Sequence, residues 1–371
     1  MKSNNNYYRL DKLLATGADY LMIIGSRSNG KTYACLEYLL SEYCRHGAEF
    51  AIIRRWADDF KQQRGKALFK ALENNNTVQK LTNGQWTNII FQSMQFYFGK
   101  YDNGKLVLSE QPIGYAFAIS QMEHDKSTAY PKVINILFDE FMTRSEFGYL
   151  KNEFVAFMNT LSTIMRERGD KDKIKIFLAG NTVNFTCPYF NELGLTNIKK
   201  MKPGDIDVYT YGDSGLKLAV EYAEPFKGKQ NSNKYFAFNN PRLKMITGAD
   251  GSSWEIDLYP HLQKKYTPKQ VIFTYFIIFD GCTMQLEVIR YPEGIITFVH
   301  RKTTEIRHPE KDIVFSTEPT YHVNWNTNIL KIHQPKLKEA FSKIFDLSKF
   351  FYQDNELGEY MRNYLIWCKQ N

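Results

Sequence analysis

The chain is poor in several features that would assign it to other protein classes. It has only five cysteines among 371 residues, at Cys35, Cys44, Cys187, Cys282 and Cys368, and no C-x-x-C pair. An odd, scattered set of thiols makes neither a disulfide framework nor a zinc cage, and it leads us to expect a reducing, cytosolic setting. No apolar run approaches the roughly 20 residues that cross a bilayer; the stretch at 271–279 is interrupted by Thr274. No basic segment leads into an apolar core at the start, so export is not expected. Internal repeats and low-complexity tracts are lacking, which argues against a solenoid or a disordered linker protein. A basic tail is lacking too. The net charge of +8 comes from 48 basic against 40 acidic residues, with 29 and 25 of them before Gly228 and 19 and 15 after it. A polyanion would therefore be gripped by patches assembled in the fold or in an oligomer, not by an arm.

What is present reads as an α/β protein of about two domains, with 43% hydrophobic residues to build its cores. An apolar strand at 20–24 precedes an amphipathic segment at 33–43, and a β run at 49–53 is closed by Arg54-Arg55. A helix is expected over 60–72, hairpin strands over 85–98, and a further strand over 114–120. The near-continuous apolar stretch 132–138 has the character of a strand buried in a parallel sheet. A helix at 153–168 and a strand at 174–178 complete an alternation that predicts a central parallel sheet with helices on both faces and ligands at the strands' carboxyl ends. Composition then shifts to Gly, Asn, Ser and Lys over 227–253, a linker signature. Beyond it, β runs at 270–279, 284–291 and 295–300 read as a meander, followed by helices near 336–344 and 356–369. The expected organisation is a first domain over 1–227, a linker element over 228–260 and a smaller α+β domain over 261–371.

The most specific motif is Gly25-Ser26-Arg27-Ser28-Asn29-Gly30-Lys31-Thr32, a complete G-x-x-x-x-G-K-[ST] placed where a strand ends and a helix begins. Its backbone N–H groups and the helix N-terminus can cradle a triphosphate, Lys31 can reach the β/γ-phosphates, and the Thr32 hydroxyl can ligate Mg²⁺. Asp139-Glu140 ends the apolar strand at 132–138 and supplies the acids that hydrolysis needs: Asp139 beside the metal and Glu140 to orient and polarise the attacking water. This loop and acid pair, with strands between them, look like the additional-strand, catalytic-glutamate class of P-loop ATPases. Asn181, at the end of the 174–178 strand, is either a sensor of the γ-phosphate or an ordinary loop asparagine. Arg166 and Arg168 close the preceding helix and are either arginines offered to a neighbour's triphosphate or a solvated helix end. Arg54-Arg55 is a basic rim near nucleotide or nucleic acid, or surface charge.

These residues, with Lys126-Ser127-Thr128-Ala129-Tyr130-Pro131, Phe177-Leu178-Ala179-Gly180-Asn181 and Cys187-Pro188-Tyr189-Phe190, resemble the phi-29-like DNA encapsidation ATPases of small short-tailed bacteriophages and, more distantly, the large terminases. The resemblance covers the first 200 residues in order and spacing, and the second half only in layout. It implies a homo-oligomeric ring of five subunits in the host cytoplasm, docked on the portal (connector) protein at the capsid vertex. Such a ring would pump double-stranded DNA inward at the expense of ATP with Mg²⁺, with a structural packaging RNA as a further partner and no membrane. Carried over by position, Arg166 is the trans-acting arginine finger, with Arg168 a near alternative, and Lys126 is a second basic residue reaching the neighbouring site. The second domain is implied to be RNase-H-like and without catalysis. Asp280, in an Asp-Gly turn, has no companion acid of obvious pattern, whereas a working nuclease needs several carboxylates on two metals. A terminase-like motor with an active nuclease is the alternative; a nucleotide switch without translocation and a monomeric helicase are further rivals. DNA-contacting residues cannot be assigned by pattern, and Arg54, Arg55, Lys61 and Arg64 are the candidates.

Overall fold

The computed structural model describes residues 7–61, 63–124, 129–144, 148–166, 173–184, 186–226, 254, 257–307, 312–318 and 324–371. Their strands form two sheets. The first contains β1 (Tyr20–Gly25), β2 (Glu49–Arg54), β3 (Asn88–Gln92), β4 (Gln95–Asp102), β5 (Lys105–Leu108), β6 (Gly114–Ala118), β7 (Val133–Asp139), β8 (Lys175–Asn181), β9 (Ile206–Tyr211) and β10 (Leu216–Tyr222). Its order is β3-β4-β6-β2-β7-β8-β1-β10-β9, with β5 beside β4. The six strands from β6 to β10 in that order are mutually parallel, and antiparallel pairings are confined to the margins.

The parallel strands are apolar along most of their length because both of their faces are covered; Asn135 of β7 and Glu221 of β10 are buried polar exceptions. In β1, Leu21 and Ile23 enter one core layer while Met22 and Ile24 enter the other; in β2, Phe50 and Ile52 divide from Ala51 and Ile53 in the same way. The helix Lys31–His46 lies on one face through Ala34, Cys35, Leu36, Leu39 and Leu40, a spacing that makes one apolar stripe. The helix stops at Gly47, whose left-handed φ of 67° lets its N–H bond Tyr43 O at 2.8 Å. On the other face, the helix Glu153–Ile164 buries Phe157, Leu161 and Ile164.

Several elements differ from expectation. The helix expected over 60–72 is broken into short turns, Ala57–Phe60, Gln63–Ala67 and Lys70–Asn74. Gly65 sits where a Cβ would lie 2.5 Å from the Phe91 ring, so close docking on β3 replaces continuous helix. The helix from Glu153 ends at Ile164, short of Arg168. The β9–β10 hairpin is an addition, and its second strand is the parallel neighbour of β1.

The second sheet comprises β11 (Val271–Phe279), β12 (Cys282–Tyr291), β13 (Gly294–Arg301), β14 (Ile313–Ser316), β15 (Trp325–Asn326) and β16 (Phe350–Tyr352). Its order is β15-β14-β11-β12-β13-β16. The expected meander β11-β12-β13 is antiparallel, β14 runs parallel to β11, and β15 runs parallel to β14. The helices Pro335–Ile344 and Asn355–Gln370 close one face over Tyr275, Leu286, Val299 and Phe315, using Phe341, Leu357, Met361 and Tyr364.

Polar contacts join the two halves. Lys199 Nζ donates to Asp280 Oδ2 at 3.1 Å and to the Tyr360 hydroxyl at 2.5 Å, and Asn191 donates to the other oxygen of Asp280. Asn184 and Asn363, both buried, each donate an amide hydrogen to the other at 3.2 and 3.1 Å. Most of the linker expected over 228–260 lies outside the described residues; Trp254 packs edge-on to Tyr222 of β10. No helix among the described residues is long and apolar enough to cross a membrane.

Candidate nucleotide-binding and catalytic site

The strand β8 lies between β1 and β7, with Gly25 paired to Asn181 and Asp139 to Ala179. Three carboxyl strand ends are thereby level on one edge of the sheet, which gathers the phosphate loop, the acid pair and Asn181. Gly30 adopts φ 98°, a conformation that side-chain-bearing residues rarely take, and starts the helix at Lys31. Lys31, buried to 5% exposure, folds back under the loop. Its Nζ donates to Ser26 O at 2.7 Å, Gly25 O at 3.2 Å, and Oδ1 of both Asn29 and Asn181 at 3.1 Å. Asn29 is itself buried, and its carbonyl accepts from Tyr8 N at 2.9 Å, so the segment before β1 straps the loop.

Thr32 Oγ1 donates to Asp139 Oδ1 at 2.8 Å. Asp139 is 1% exposed and ends β7, whereas the next side chain, Glu140, is 61% exposed. Glu140 takes φ 61°, a left-handed backbone that is uncommon outside glycine and recurs at functional sites. Between the two acids lies Arg54, the last residue of β2: its Nη2 meets Asp139 Oδ2 at 2.5 Å and its Nη1 meets Glu140 Oε2 at 2.8 Å. Burial by itself would depress this guanidinium, but Asp139 and Glu140 hold it above its ordinary value.

Arg55 points the other way. Its Nε and Nη2 grip both oxygens of Glu153 at 2.7 and 2.9 Å, and its Nη2 and Nη1 donate to the carbonyls of Phe141 at 2.6 Å and Glu140 at 3.3 Å. Glu153 also accepts from the Tyr189 hydroxyl at 3.0 Å and from Leu150 N at 2.9 Å. Cys187, walled in nearby, is pushed up to about 12 by burial and is an inert structural thiol.

The donor set fits a magnesium-bound triphosphate. The helix-start amides border the space inside the loop, Lys31 lies beneath that loop within reach of it, and Thr32 with Asp139 offers a hard oxygen pair. Among the described residues no cluster of three or more His, Cys, Asp or Glu side chains could hold a metal by itself, so such an ion would be completed by phosphate and water. The arrangement suits a nucleoside triphosphate, with an acid pair held by Arg54 at the same sheet edge.

Of the sequence-derived candidates, Gly25, Ser26, Arg27, Ser28, Asn29, Gly30, Lys31, Thr32, Asp139, Glu140 and Asn181 gather here. Arg166 lies two residues beyond the helix Glu153–Ile164 and is exposed; Lys126 and Arg168 lie outside the described residues. Arg54 and Arg55 are corrected as DNA-contact candidates, because one closes on the acid pair and the other is buried beneath it. Lys61 pairs with Asp58 at 2.6 Å on the exposed segment after β2, and Arg64 donates to Asp58 O there. The basic-rim reading of Arg54-Arg55 left open which acids they meet, and Glu153 was not singled out; two arginines directly after an apolar strand are a signal when that strand neighbours the acid-bearing one.

Residues 2–202, more than half of the chain, match the family model of the Podovirus DNA encapsidation protein (Gp16). The chain belongs to this family. Among relatives of the encapsidation protein, the DNA packaging protein of Bacillus phage B103 is 28% identical over 174 residues, 47% of either chain. The DNA packaging protein of Bacillus phage phi29 is 26% identical over 185 residues, 50% of this chain and 49% of its own. The alignments thus span about half the length of these relatives. Two solved structures extend the likeness in fold to nearly the whole chain. The bacteriophage Phi-29 viral genome packaging motor assembly has a TM-score of 0.53 at 20% identity, covering 97% of this chain and 100% of that one. The Phi-28 gp11 DNA packaging motor has a TM-score of 0.50 at 17% identity, covering 99% of both.

Proposed function

We propose that this encapsidation-family protein is the ATPase subunit of a motor that drives double-stranded viral DNA into a preformed capsid. It acts as a ring of five at the portal, with a packaging RNA as a further partner. The observation that carries this reading is the Thr32–Asp139 contact beside Lys31, with Glu140 one residue beyond. In the proposed site Lys31 and the loop amides hold the β/γ-phosphates, Thr32 and Asp139 hold Mg²⁺, and Asn181 senses the terminal phosphate. The bound Mg²⁺ supplies charge neutralisation on the phosphates. Glu140 turns from Arg54 to orient water and accept its proton as the terminal anhydride breaks. Arg166 and Lys126 of one subunit complete the site of the next.

The sheet order, with β8 between β1 and β7, supports membership of the additional-strand, catalytic-glutamate class of P-loop ATPases. The pairing of β11 to β15 supports an RNase-H-like second domain: three antiparallel strands with β14 and β15 added parallel at the β11 edge. Asp280 is held by Lys199 and Asn191, which supports a non-catalytic second domain over an active nuclease. The domain division 1–227, 228–260 and 261–371 belongs to the same proposal.

The test is ATP turnover with Mg²⁺, DNA and empty capsids. Glu140→Gln should lose about 10²–10⁴-fold in kcat while still binding ATP, and mixing it with Arg166→Ala should recover part of the activity, since the two defects fall at different sites of the ring. Wild-type protein without turnover, or Glu140→Gln at the wild-type rate, refutes the ATPase reading; no recovery on mixing refutes the trans role of Arg166.

A further inference from the structure

We infer that Arg55 is a positioning residue that sets Glu140 and Arg166 together. It ties the backbone of the hydrolytic loop to the helix that leads to the proposed trans arginine. The inference deepens the proposed function and rests on it.

Arg55 is 5% exposed, and its hydrogen bonds among the described residues do not reach the phosphate loop. Every one of those bonds runs either to Glu153, the first residue of the helix Glu153–Ile164, or to the carbonyls of Glu140 and Phe141. The guanidinium is further stacked over the Tyr149 ring, 5.1 Å from its centroid. Glu153 in turn uses its remaining capacity on Leu150 N and Tyr189, so the fork is saturated. Bidentate geometry of this kind fixes direction as well as distance, and lysine cannot reproduce it.

The mechanical consequence follows from the helix. Its 12 residues span about 18 Å, and it is pinned along its length by Phe157 stacked on Phe138 of β7, with Leu161 and Ile164 in the same core. One end is bonded through Arg55 to the carbonyl of Glu140, and Arg166 follows the other end. Since Glu140 holds a left-handed backbone, a shift of its carbonyl is resisted by Arg55 and passed to Glu153. A displacement at one subunit's hydrolytic glutamate is thereby delivered to the arginine it lends its neighbour.

The experiment uses full-length Arg55→Lys and Glu153→Gln, each assayed about 20 °C below its own melting midpoint. Positioning predicts that kcat falls about 10- to 100-fold, the scale of an ångström-sized misplacement. KM for ATP should stay within about twofold, because the phosphate loop is untouched. Mixing provides the second readout. Glu140→Gln should rescue Arg166→Ala, because it still donates a well-placed arginine, whereas Arg55→Lys should fail to rescue it. Unchanged kcat, a KM that rises in step, rescue of Arg166→Ala by Arg55→Lys, or failure of both variants to fold would overturn the inference in favour of a purely structural ion pair. Loss of turnover in wild type, or failure of Glu140→Gln to rescue, would instead overturn the reading beneath it.

Discussion

Gly180→Ala is a sharp test of how the catalytic edge is built, because the position has ordinary strand backbone and only space is at issue. A Cβ there would lie 2.7 Å from Phe141 Cε1, 3.0 Å from Phe141 Cδ1 and 2.9 Å from Met142 Cγ. Carbon atoms in good contact sit about 3.5–4.0 Å apart, so the Phe141 ring must retreat by roughly 0.8 Å. It is fully buried, with Tyr189 at 5.7 Å and both Phe138 and Phe190 at 6.4 Å between centroids, so retreat compresses other rings. Overpacking of this kind costs about 1–3 kcal/mol, and each kcal/mol is about 2–4 °C of Tm in a domain of this size. The catalytic effect should exceed the structural one. Glu140 is covalently joined to Phe141, Asn181 to Gly180, and a misplacement on the order of 1 Å can cost 10²-fold. The expected result is kcat lowered about 10- to 100-fold with a Tm loss of only several degrees. Gly47→Ala is the control: its φ is 67° and nothing lies within 4 Å, so it strains the helix end by about 1–2 kcal/mol without touching the site. Steady-state ATPase rates with melting curves decide between them, and equal kcat for the two variants would refute the packing argument.

Two further outcomes are expected. Arg54→Met leaves Asp139 and Glu140 without their shared counter-charge, so Tm should fall, and added Mg²⁺ should raise Tm more in this variant than in wild type; a smaller Mg²⁺ increment would contradict the geometry. Burial raises the carboxyl of Glu359, whose Oε2 has no hydrogen-bond partner among the described residues while Oε1 accepts from Asp257 N and the Tyr259 hydroxyl. A raised folded-state value means that wild type loses stability as pH climbs from about 4.5, so Glu359→Gln should match wild type in Tm below that pH and exceed it increasingly above; a gain confined to acid pH would reverse the sign and refute the assignment.

The core of the site was legible because it is written in local pattern. A phosphate loop must follow a strand, and an acid pair at the end of a near-continuous apolar strand lies at a sheet's carboxyl edge, so Lys31, Thr32, Asp139, Glu140 and Asn181 converge as expected. Arg54 and Arg55 were ambiguous for the opposite reason: their meaning depends on β2 lying next to β7, a pairing between segments 85 residues apart in the case of Arg54 and Asp139. Asp280 behaves likewise, since nothing near it in the chain announces Lys199. In the fold, the parallel core and the β11–β13 meander were readable from their apolar runs. The β9–β10 hairpin was not, because its exposed edge strand alternates polar and apolar residues and carries little of the signature of the buried strand beside β1.

The reciprocal amides of Asn184 and Asn363 have a consequence for how the halves can move. Each donates to the other in a buried seam, so a small sliding motion breaks both bonds at once, at about 0.5–1.5 kcal/mol apiece, while Asn184 Oδ1 keeps its bonds from Thr186 and Asn363 Nδ2 keeps the carbonyl of Glu359. The junction therefore behaves as a snap fastener rather than a bearing: it is shut or it is open. Asn184 follows Asn181 by three residues, so whatever tugs the strand end beside the phosphate loop pulls on the same catch.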